Sequence, residues 1–359
     1  MQTASDTAAR LARIGWRPAV PVPALEPAQR LARVVAQHRA GYELHDGDAP
    51  FNAQPAARFL RRDIDPVDRP AVGDFVIVAP GQPPTIEAIL PRSSEFKRGA
   101  AGESHRRQVI AANIDTVFVL MGLDGDFNPA RIERYLLLIE DSGAQAVVVL
   151  TKADRSDAAA DALVQLRERL GDAARVLAIN AKSAESVAPL LAWLGPGSST
   201  VLVGSSGAGK STLTNTLLGE LRQATGAVRE RDSRGRHTTT HRALLMLPSG
   251  GCLIDTPGMR ELKLTGSEEL DEGQFADIDA LARSCRFGDC AHQSEPGCAV
   301  RAALEDGSLD GDRWRNFCKL RDELVATADA LEAQMRRKGE GKVLTKALNR
   351  RLAEKYGRG

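Results

Sequence analysis

The first third of the chain carries short apolar stretches that alternate with Gly, Pro and Asp. These stretches occupy residues 31–35, 57–60, 74–78 and 85–90. Short apolar runs at such spacing are typical of small β-barrels, so we predict an all-β barrel within residues 26–108. Residues 1–25 are rich in Ala and Pro, which predicts a disordered N-terminus. Residues 91–108 are polar and basic without a core pattern, which predicts a linker.

From residue 109 the pattern changes to strands that alternate with helices. Continuous apolar runs lie at 117–120, 146–150, 176–179, 201–203 and 253–254, and helical patterns lie notably at 129–141 and 157–170. Such runs are expected for a parallel sheet that helices cover on both faces. We therefore predict a multidomain α/β protein with a central domain at 109–270. A helical domain at 271–359 follows, with a long charged helix at 312–338 and a basic tail.

A glycine-rich segment joins the apolar run at 201–203 to a predicted helix. It consists of Gly204, Ser205, Ser206, Gly207, Ala208, Gly209, Lys210 and Ser211, and Thr212 follows it. Between a strand and a helix this spacing indicates a phosphate loop, because backbone N–H groups and the helix N-terminus attract phosphate oxygens. We expect Lys210 to reach the β- and γ-phosphates and the Ser211 hydroxyl to bind Mg²⁺.

An Asp-Thr-Pro-Gly segment follows the apolar run at 253–254 and includes Asp255 and Gly258. Alone, Asp-x-x-Gly is a common turn and a weak signal. After a phosphate loop it predicts that Asp255 holds Mg²⁺ through water and that the Gly258 N–H senses the γ-phosphate.

A base-reading motif follows the apolar run at 146–150. It consists of Thr151, Lys152, Ala153 and Asp154. The Asp154 carboxylate can accept two hydrogen bonds from guanine, whereas adenine lacks that pair of donors. The Lys152 stem can cover the base, and Thr151 can brace the phosphate loop where asparagine is more usual. Ala181 and Lys182, after the next strand, fit the loop that offers N–H groups to the guanine O6.

The order of these motifs is unusual. Most guanine-nucleotide switches carry the phosphate loop first and the base-reading motif last. Here the motif at 151–154 precedes the phosphate loop at 204–211. The order therefore predicts a circularly permuted phosphate-loop GTPase whose site is rebuilt in space.

The residue that positions the attacking water is left open by these motifs. Met259 stands where many switches carry a glutamine, and methionine cannot orient water. His237 is the nearest candidate, since imidazole can hydrogen-bond a water at neutral pH. The alternatives are a group from a partner or an arginine of the same segment, namely Arg231, Arg234 or Arg236. A threonine is expected to complete the Mg²⁺ shell, and position alone leaves open Thr238, Thr239 and Thr240.

Three cysteines and a histidine crowd into the stretch from residue 285 to 298. The candidate ligands are Cys285, Cys290, His292 and Cys298. Three thiolates and one imidazole at closed four-coordination suit a structural Zn²⁺. No fifth group for catalysis is evident, so we predict a structural zinc site.

Composition limits how the protein could contact nucleic acid and where it is located. The formal net charge is only +1, so contacts with nucleic acid must come from local patches. Candidate phosphate contacts are Arg61, Arg62, Arg92, Lys97, Arg98, Arg106 and Arg107. The aromatic content of 4% argues against extensive base stacking. With no signal-peptide pattern and no apolar run of roughly 18 residues, we expect a cytoplasmic protein without a membrane span.

The permuted order, the Gly-Arg-His-Thr-Thr-Thr segment at 235–240 and the Cys/His spacing together resemble the bacterial ribosome small-subunit-dependent GTPase A family. The similarity covers roughly residues 30–335. It implies an N-terminal OB-fold, a permuted GTPase and a C-terminal zinc domain. It also implies a monomer that binds guanine nucleotides and the 30S subunit with its 16S rRNA. By the same resemblance, His237 acts in hydrolysis, the subunit stimulates it, and the protein assists late 30S maturation and then leaves.

Two other functions are possible from the residues alone. A non-enzymatic rRNA-binding assembly protein with a regulatory nucleotide site is the runner-up, but Lys210, Ser211 and Asp255 are intact and argue against it. A phosphate-loop kinase or ATPase comes third, because Asp154 favours guanine.

Overall fold

The first unit of the protein is a closed five-stranded barrel. The computed structural model describes residues 9–17, 20–38, 40–61, 63–99, 107–125, 127–219, 243–255, 270 and 274–356. The barrel strands are β1 (Arg30–His38), β2 (Gly41–His45), β3 (Pro50–Pro55), β4 (Phe75–Ala79) and β5 (Thr85–Ile89). They follow the order β1-β2-β3-β5-β4, and pairing of β1 with β4 closes the barrel. Val34, Leu44, Val76 and Ile86 are fully buried in its core. The predicted barrel is confirmed.

Two segments of this region differ from the prediction. Residues 57–60, expected to contribute to the β pattern, form a short helix, α1 (Ala57–Leu60), in which Phe59 is the buried residue. So short a run cannot distinguish a strand from a helical turn by its periodicity. The expected linker also contains structure, because β6 (Glu95–Gly99) pairs antiparallel with β7 (Arg107–Ala112). Phe96 of β6 is fully buried, and one apolar residue in a charged strand leaves no pattern to detect.

The N-terminal segment at residues 9–17 is packed, which corrects the prediction of disorder there, whereas residues 1–8, 18 and 19 lie outside the described part of the chain. Residues 9–12 are helical, and the side chains of Leu11 and Ile14 are fully buried. Trp16 lies edge-on to Phe75 of β4, with ring centroids 4.7 Å apart. These apolar residues are too sparse to show a period, and they are buried because they cover the barrel wall.

The second unit is a sheet in which six strands are described. They are β8 (Thr116–Gly122), β9 (Gln145–Thr151), β10 (Arg175–Ala178), β11 (Ser199–Gly204), β12 (Ala243–Met246) and β13 (Cys252–Asp255). Their order is β10-β9-β8-β11-β13-β12, and every pair is parallel except β12 with β13. Along β8, Val117 and Val119 face one layer of the core, and Phe118 and Leu120 face the other. The predicted parallel sheet with two buried faces is confirmed.

Helices cover both faces of this sheet. One face packs against α2 (Pro129–Glu140) and α3 (Ala159–Leu170), and the other packs against α4 (Ala184–Val187), the 3₁₀ helix Ala188–Trp193 and α5 (Lys210–Leu218). α2 begins where the Asn128 side chain accepts a hydrogen bond from the Arg131 N–H and proline follows, a favourable start for a helix. α5 ends at Gly219, which has the left-handed backbone that suits glycine. Further 3₁₀ helices are Pro66–Asp68, Ala153–Arg155 and Gly171–Ala173.

A strand pair and a buried arginine join the barrel to the central sheet. β1 pairs antiparallel with β12, where Ala36 lies opposite Ala243. Arg33 of β1 is fully buried. Its guanidinium donates to Gly73 O (3.0 Å), Ile14 O (2.6 Å), Ser199 Oγ (2.8 Å) and Asn113 O (2.9 Å). Neutral acceptors from the barrel, the N-terminal segment, β11 and the segment before β8 therefore meet at one side chain.

The C-terminal region is helical as far as the structure describes it. Its helices are α6 (Ala276–Arg283), α7 (Ala299–Asp306) and α8 (Gly311–Tyr356). Residues 274–356 include no strand, as predicted, and α8 extends well past the predicted end at residue 338. Among the described helices, none combines the length and apolar character that a membrane span requires.

A buried charged network holds these helices against the central unit. The Glu133 carboxylate of α2 is fully buried and accepts hydrogen bonds from Arg169 of α3 at 2.7 and 3.0 Å. From α8, it accepts hydrogen bonds from Arg313 and Asn316, each at 2.5 Å. Arg313 also donates to both carboxylate oxygens of Asp277 in α6, at 2.9 and 2.7 Å. Charged side chains from four helices are thus paired inside one interface.

Candidate functional site

The predicted nucleotide contacts that the structure describes lie along one edge of the central sheet. β8, β9, β10, β11 and β13 are parallel, so their carboxyl ends meet at that edge. The phosphate loop follows β11, the base-reading motif begins at the end of β9, and Asp255 ends β13. Open α/β sheets bind ligands outside the carboxyl ends of their strands. Motifs that are permuted along the chain are therefore neighbours in space.

The phosphate loop turns tightly between β11 and α5. Gly204 has a φ of 147°, and a Cβ there would lie 2.4 Å from the Leu120 carbonyl oxygen, so glycine is required. Gly209 has a φ of 92° immediately before the helix. Lys210 Nζ donates to the carbonyl oxygens of Gly204 (2.7 Å) and Ser205 (2.6 Å). The ammonium group thus lies against the loop that carries the predicted phosphate-binding N–H groups.

Thr151 links the base-reading motif to the phosphate loop. Its side chain is fully buried, and its Oγ1 donates to the Ala208 carbonyl oxygen at 2.8 Å. A Cβ on Gly209 would lie 3.3 Å from the same Oγ1, so the loop packs closely on the threonine. Ser206 and Gly207, the preceding residues of the loop, are exposed. The threonine therefore braces the loop from β9, as we expected from the sequence.

The rest of the base-reading motif turns out of β9 toward solvent. Lys152 has a left-handed backbone (φ 61°, ψ 29°), which is uncommon for residues other than glycine. The Ala153 N–H donates to the Ile179 carbonyl oxygen at 3.2 Å. Asp154 lies in the 3₁₀ helix that follows and is exposed. Its carboxylate is consequently accessible to a base at the sheet edge.

The loop after β10 lies beside α5. The Thr216 Oγ1 of α5 donates to the Ala181 carbonyl oxygen at 2.6 Å. The Lys182 N–H donates to the Asn180 Oδ1 at 3.0 Å. Ala181 is buried and Lys182 is exposed. Hydrogen bonds to α5 and to the phosphate loop thus tie both halves of the permuted site together.

The first turn of α5 and the end of β13 carry the oxygen atoms predicted to bind magnesium. Ser211 and Thr212 are half-buried in that turn, and α5 packs against both β11 and β13. Asp255 is 6% exposed and pairs in register with Leu202 of β11. A hydroxyl and a carboxylate are hard donors of the kind that Mg²⁺ prefers, so these residues fit a magnesium ion.

Several predicted site residues lie outside the described part of the chain. They are His237 and Gly258, together with Arg231, Arg234, Arg236, Thr238, Thr239, Thr240 and Met259, and the candidate phosphate contacts Arg62 and Arg106. Their roles therefore stay predictions from the sequence.

The predicted metal ligands converge between α6 and α7. The ligand atoms of Cys285, Cys290, His292 and Cys298 all lie within 4.8 Å of one another. His292 Nδ1 lies 3.5 Å from Cys285 Sγ and 3.4 Å from Cys298 Sγ. Cys285 Sγ and Cys298 Sγ are 3.9 Å apart. Because tetrahedral ligands about 2.0–2.3 Å from Zn²⁺ lie roughly 3.3–3.8 Å from one another, these four residues could hold one ion.

Glu295, which the sequence analysis did not single out, shapes the loop that carries the predicted metal ligands. Glu295 accepts hydrogen bonds from the N–H groups of Ala291 (2.8 Å), Gln293 (2.8 Å) and Ser294 (2.9 Å). Backbone hydrogen bonds lower the pKa of Glu295 to about 2. The N–H donors precede and follow His292 in the chain, and His292 itself has a left-handed φ of 59°. An acidic residue inside the Cys/His spacing was the one available signal for this role.

Two helices complete the surroundings of the cluster. Although burial opposes it, the N–H groups of Val300 and Ala299 at the start of α7 lower the pKa of the Cys285 thiol. A lower pKa favours the thiolate form of Cys285, the form that binds metal, whereas burial and the neighbouring thiols raise the pKa of Cys290 to about 11. Trp314 of α8 lies edge-on to His292, with ring centroids 5.7 Å apart. The cluster is therefore packed between α7 and α8.

One candidate phosphate contact is internal. Arg92 donates to both carboxylate oxygens of Asp74 at 2.7 and 2.8 Å and to Glu95 at 3.0 Å. It also donates to the carbonyl oxygens of Val67 (2.6 Å) and Arg69 (3.0 Å). Its side chain is only 13% exposed. The prediction that Arg92 contacts RNA phosphates is therefore corrected, because its guanidinium already donates hydrogen bonds to Asp74, Glu95 and two main-chain carbonyl oxygens.

Comparison with known proteins identifies the family. The sequence profile of the RsgA GTPase family matches residues 89–265. The "Small ribosomal subunit biogenesis GTPase RsgA" of Xanthomonas axonopodis pv. citri (strain 306) is 57% identical over 320 residues, which cover 89% of this chain and 87% of that protein. This chain belongs to the RsgA GTPase family. The protein of the same name from Xanthomonas oryzae pv. oryzae (strain MAFF 311018) is 56% identical over 320 residues, with the same coverage.

Solved structures similar to this RsgA-family chain share its fold. YjeQ from Thermotoga maritima superposes with a TM-score of 0.59 at 24% identity, covering 83% of this chain and 99% of that chain. YloQ, described as a circularly permuted GTPase, superposes with a TM-score of 0.57 at 24% identity, covering 86% and 98%. The predicted family, the permuted fold and the GTPase class are confirmed.

Proposed function

We propose that this RsgA-family GTPase hydrolyses GTP on the 30S ribosomal subunit and assists its late maturation. In this proposal the subunit stimulates hydrolysis, and hydrolysis is coupled to release. The observation that carries it is the sheet edge where the phosphate loop, Asp255 and the base-reading motif meet. The name of the Xanthomonas relatives, which refers to small ribosomal subunit biogenesis, supports the same particle as partner.

In this proposal, different residues at the sheet edge bind the phosphates, the magnesium ion and the guanine. The N–H groups of the phosphate loop and the Lys210 ammonium bind the phosphates. Ser211, through its hydroxyl, and Asp255, through water, would hold Mg²⁺, which would neutralise negative charge on the phosphates. The Asp154 carboxylate accepts two hydrogen bonds from guanine. The backbone of the loop at Ala181 and Lys182 faces O6, with the Ala181 N–H as the candidate donor because the Lys182 N–H already donates to Asn180.

Hydrolysis itself is assigned to two segments outside the described residues, one between α5 and β12 and one immediately after β13. His237 orients the attacking water in place of a glutamine, and the Gly258 N–H senses the γ-phosphate. This assignment rests on the motif at 235–240 and on Met259 rather than on described geometry. A well-placed acid or base typically accelerates a reaction by about 10²–10⁴-fold.

The flanking units are proposed to recognise the partner. The barrel contacts 16S rRNA by shape and phosphate, and one Zn²⁺ holds the loop at 285–298 in the form that docks. The protein acts as a monomer in the cytoplasm, where the subunit is assembled. The basic tail after residue 338 is a candidate for an added RNA contact.

The direct test is GTP turnover with and without purified 30S subunits. Strong stimulation by the subunit, together with calorimetric binding of GDP but not of ATP, is expected. GDP binding without any turnover in the presence of subunits would instead favour the non-enzymatic assembly protein. Equal affinity for ATP and GTP would contradict the role of Asp154.

Replacing His237 tests the hydrolytic assignment. His237→Ala should retain GTP affinity but lose at least about tenfold in subunit-stimulated turnover. His38→Ala is the matched control, because His38 lies in the barrel and its side chain is 41% exposed. Turnover of His237→Ala equal to that of the control would move the role to an arginine or to the subunit.

A further inference from the structure

The loop that follows β8 runs beside the base-reading motif. Gly122, the last residue of β8, pairs in register with Thr151 of β9. The Leu123 N–H then donates to the Thr151 carbonyl oxygen at 2.9 Å. These main-chain contacts place the next residue, Asp124, next to Lys152. The sequence motifs gave no reason to single out Asp124.

The Asp124 carboxylate accepts a hydrogen bond from Lys152 Nζ and forms an ion pair with it. The Asp124 side chain is 44% exposed and that of Lys152 is 27% exposed. A lysine stem has several rotatable bonds, so a free ammonium would leave it in many conformations. Fixing the ammonium at Asp124 and the backbone in the left-handed region restricts the stem between those two ends.

Gly122 leaves the room that this ion pair occupies. A Cβ on Gly122 would lie 2.8 Å from Asp124 Oδ1 and 3.2 Å from Lys152 Nζ. At 2.8 Å a real Cβ would force the carboxylate to move. Glycine at 122 therefore leaves room for the carboxylate in the position seen, and a Cβ there would displace the end of the Asp124 side chain.

We propose that Asp124 is a positioning residue for the nucleobase. By holding the Lys152 ammonium, it keeps the lysine stem along the face of the guanine whose edge Asp154 reads. The inference rests on the proposed guanine-nucleotide site. Ordinary exposed ion pairs have little effect on stability, so the expected consequence is on ligand affinity rather than on folding.

The test compares GDP, which carries a nucleobase, with inorganic tripolyphosphate, which does not. For Asp124→Asn in the full chain, calorimetry should give GDP affinity weakened roughly fivefold, since the stem regains rotamer freedom that binding must remove. Affinity for inorganic tripolyphosphate, which has no base, should not change. Asp48→Asn is the control, because Asp48 forms a comparable exposed ion pair with Arg10 far away in the barrel. Melting temperatures verify that both variants are folded.

Two further variants locate the effect. In a Lys152→Met background, which keeps most of the stem but no ammonium, Asp124→Asn should leave GDP affinity unchanged. Gly122→Ala should weaken GDP binding but not tripolyphosphate binding, since it displaces the carboxylate.

The outcomes separate this inference from the proposed function. Failure of the unaltered chain to bind GDP would contradict the proposed nucleotide site itself. GDP binding by the unaltered chain and by Asp124→Asn with equal affinity would overturn the positioning role alone. Equal weakening of GDP and tripolyphosphate would also overturn it, because the effect would then lie on the phosphate loop.

Discussion

The barrel and the C-terminal helices are each attached to the GTPase sheet through a buried arginine, but the two arginines have opposite kinds of partner. Arg33 donates to three carbonyls and a hydroxyl. Arg313 meets the carboxylates of Glu133 and Asp277. Burial lowers the pKa of the Arg33 guanidinium. Burial alone would also lower the pKa of Arg313, but Asp277 and Glu133 raise it.

The difference shows that the barrel is continuous with the sheet through paired strands, whereas the C-terminal helices are docked on the central unit through side-chain contacts. The barrel shares a backbone ladder with the sheet at Ala36 and Ala243, and Arg33 crosslinks its main chain. Among the described residues, the C-terminal helices share no backbone ladder with the sheet. They are held by the charged network, by a hydrogen bond from the Asn316 side chain to the Ala130 carbonyl oxygen, and by apolar residues such as Leu320. Side-chain contacts can re-form in another geometry more easily than a strand pair can. We therefore expect the two attachments to respond differently to perturbation.

Removing the metal should have the largest effect, and on the docked unit alone. Chelation at neutral pH should unfold residues 285–309, because structural zinc contributes roughly 10 kcal/mol or more to small zinc modules. Hydrogen exchange should show lost protection in α7 and retained protection in β1–β4, whose described residues contain no metal cluster. Equal loss in the barrel strands would mean that the two attachments are not independent.

Arg33→Met should lower the free energy of unfolding by about 4 kcal/mol, measured by urea denaturation. The reason is that several buried acceptors lose their donor at once. Arg30→Met is the matched control, since Arg30 lies on the same strand with a 41% exposed side chain and pairs with Asp46. If the two variants lose similar stability, Arg33 does not hold the barrel in place.

Glu133→Gln should lower the free energy of unfolding by about 3 kcal/mol. The amide keeps the shape but leaves Arg169 and Arg313 without a buried counter-charge. Hydrogen exchange should increase in α6–α8 and stay unchanged in the barrel. Adding Arg169→Met should recover part of the loss, because without Glu133 the carboxylate left to Arg169 is the exposed Asp310 at 3.6 Å, whereas Arg313 keeps Asp277. A further loss from the second substitution would contradict the charge argument.

Glu323→Gln should have the smallest effect, under about 1 kcal/mol. Glu323 pairs with Arg134 across the same α2–α8 interface, but their side chains are 32% and 24% exposed. Salt should reduce the difference between this variant and the unaltered chain, because exposed charges are screened over about 8 Å at physiological ionic strength. The effect of Glu133→Gln should be insensitive to salt. The reverse pattern would mean that exposure does not distinguish the two pairs.

The sequence predicted the central strands and the nucleotide motifs because their signals are local. Continuous apolar runs such as 146–150 can be interpreted without knowing their neighbours, and so can the phosphate loop. The helix at 57–60, the strand around Phe96 and the packed segment around Trp16 were missed. Each carries too few apolar residues for a period, and each is ordered by a surface supplied from elsewhere in the chain.

By itself, the sequence determined the candidate chemistry of this protein: a predicted phosphate loop, a carboxylate predicted to read guanine and four candidate metal ligands, because such groups are identified by residue type and short spacing. Only the tertiary structure decided what individual charged residues do. Arg33 meets Ser199 across 166 positions, and Arg313 meets Glu133 across 180. Whether a charge is buried, paired or exposed depends on which distant groups surround it, since desolvation and Coulomb energies act through space. For that reason the structure showed Arg92 to be paired internally with Asp74, and it placed Asp124 beside Lys152 of the predicted base-reading motif.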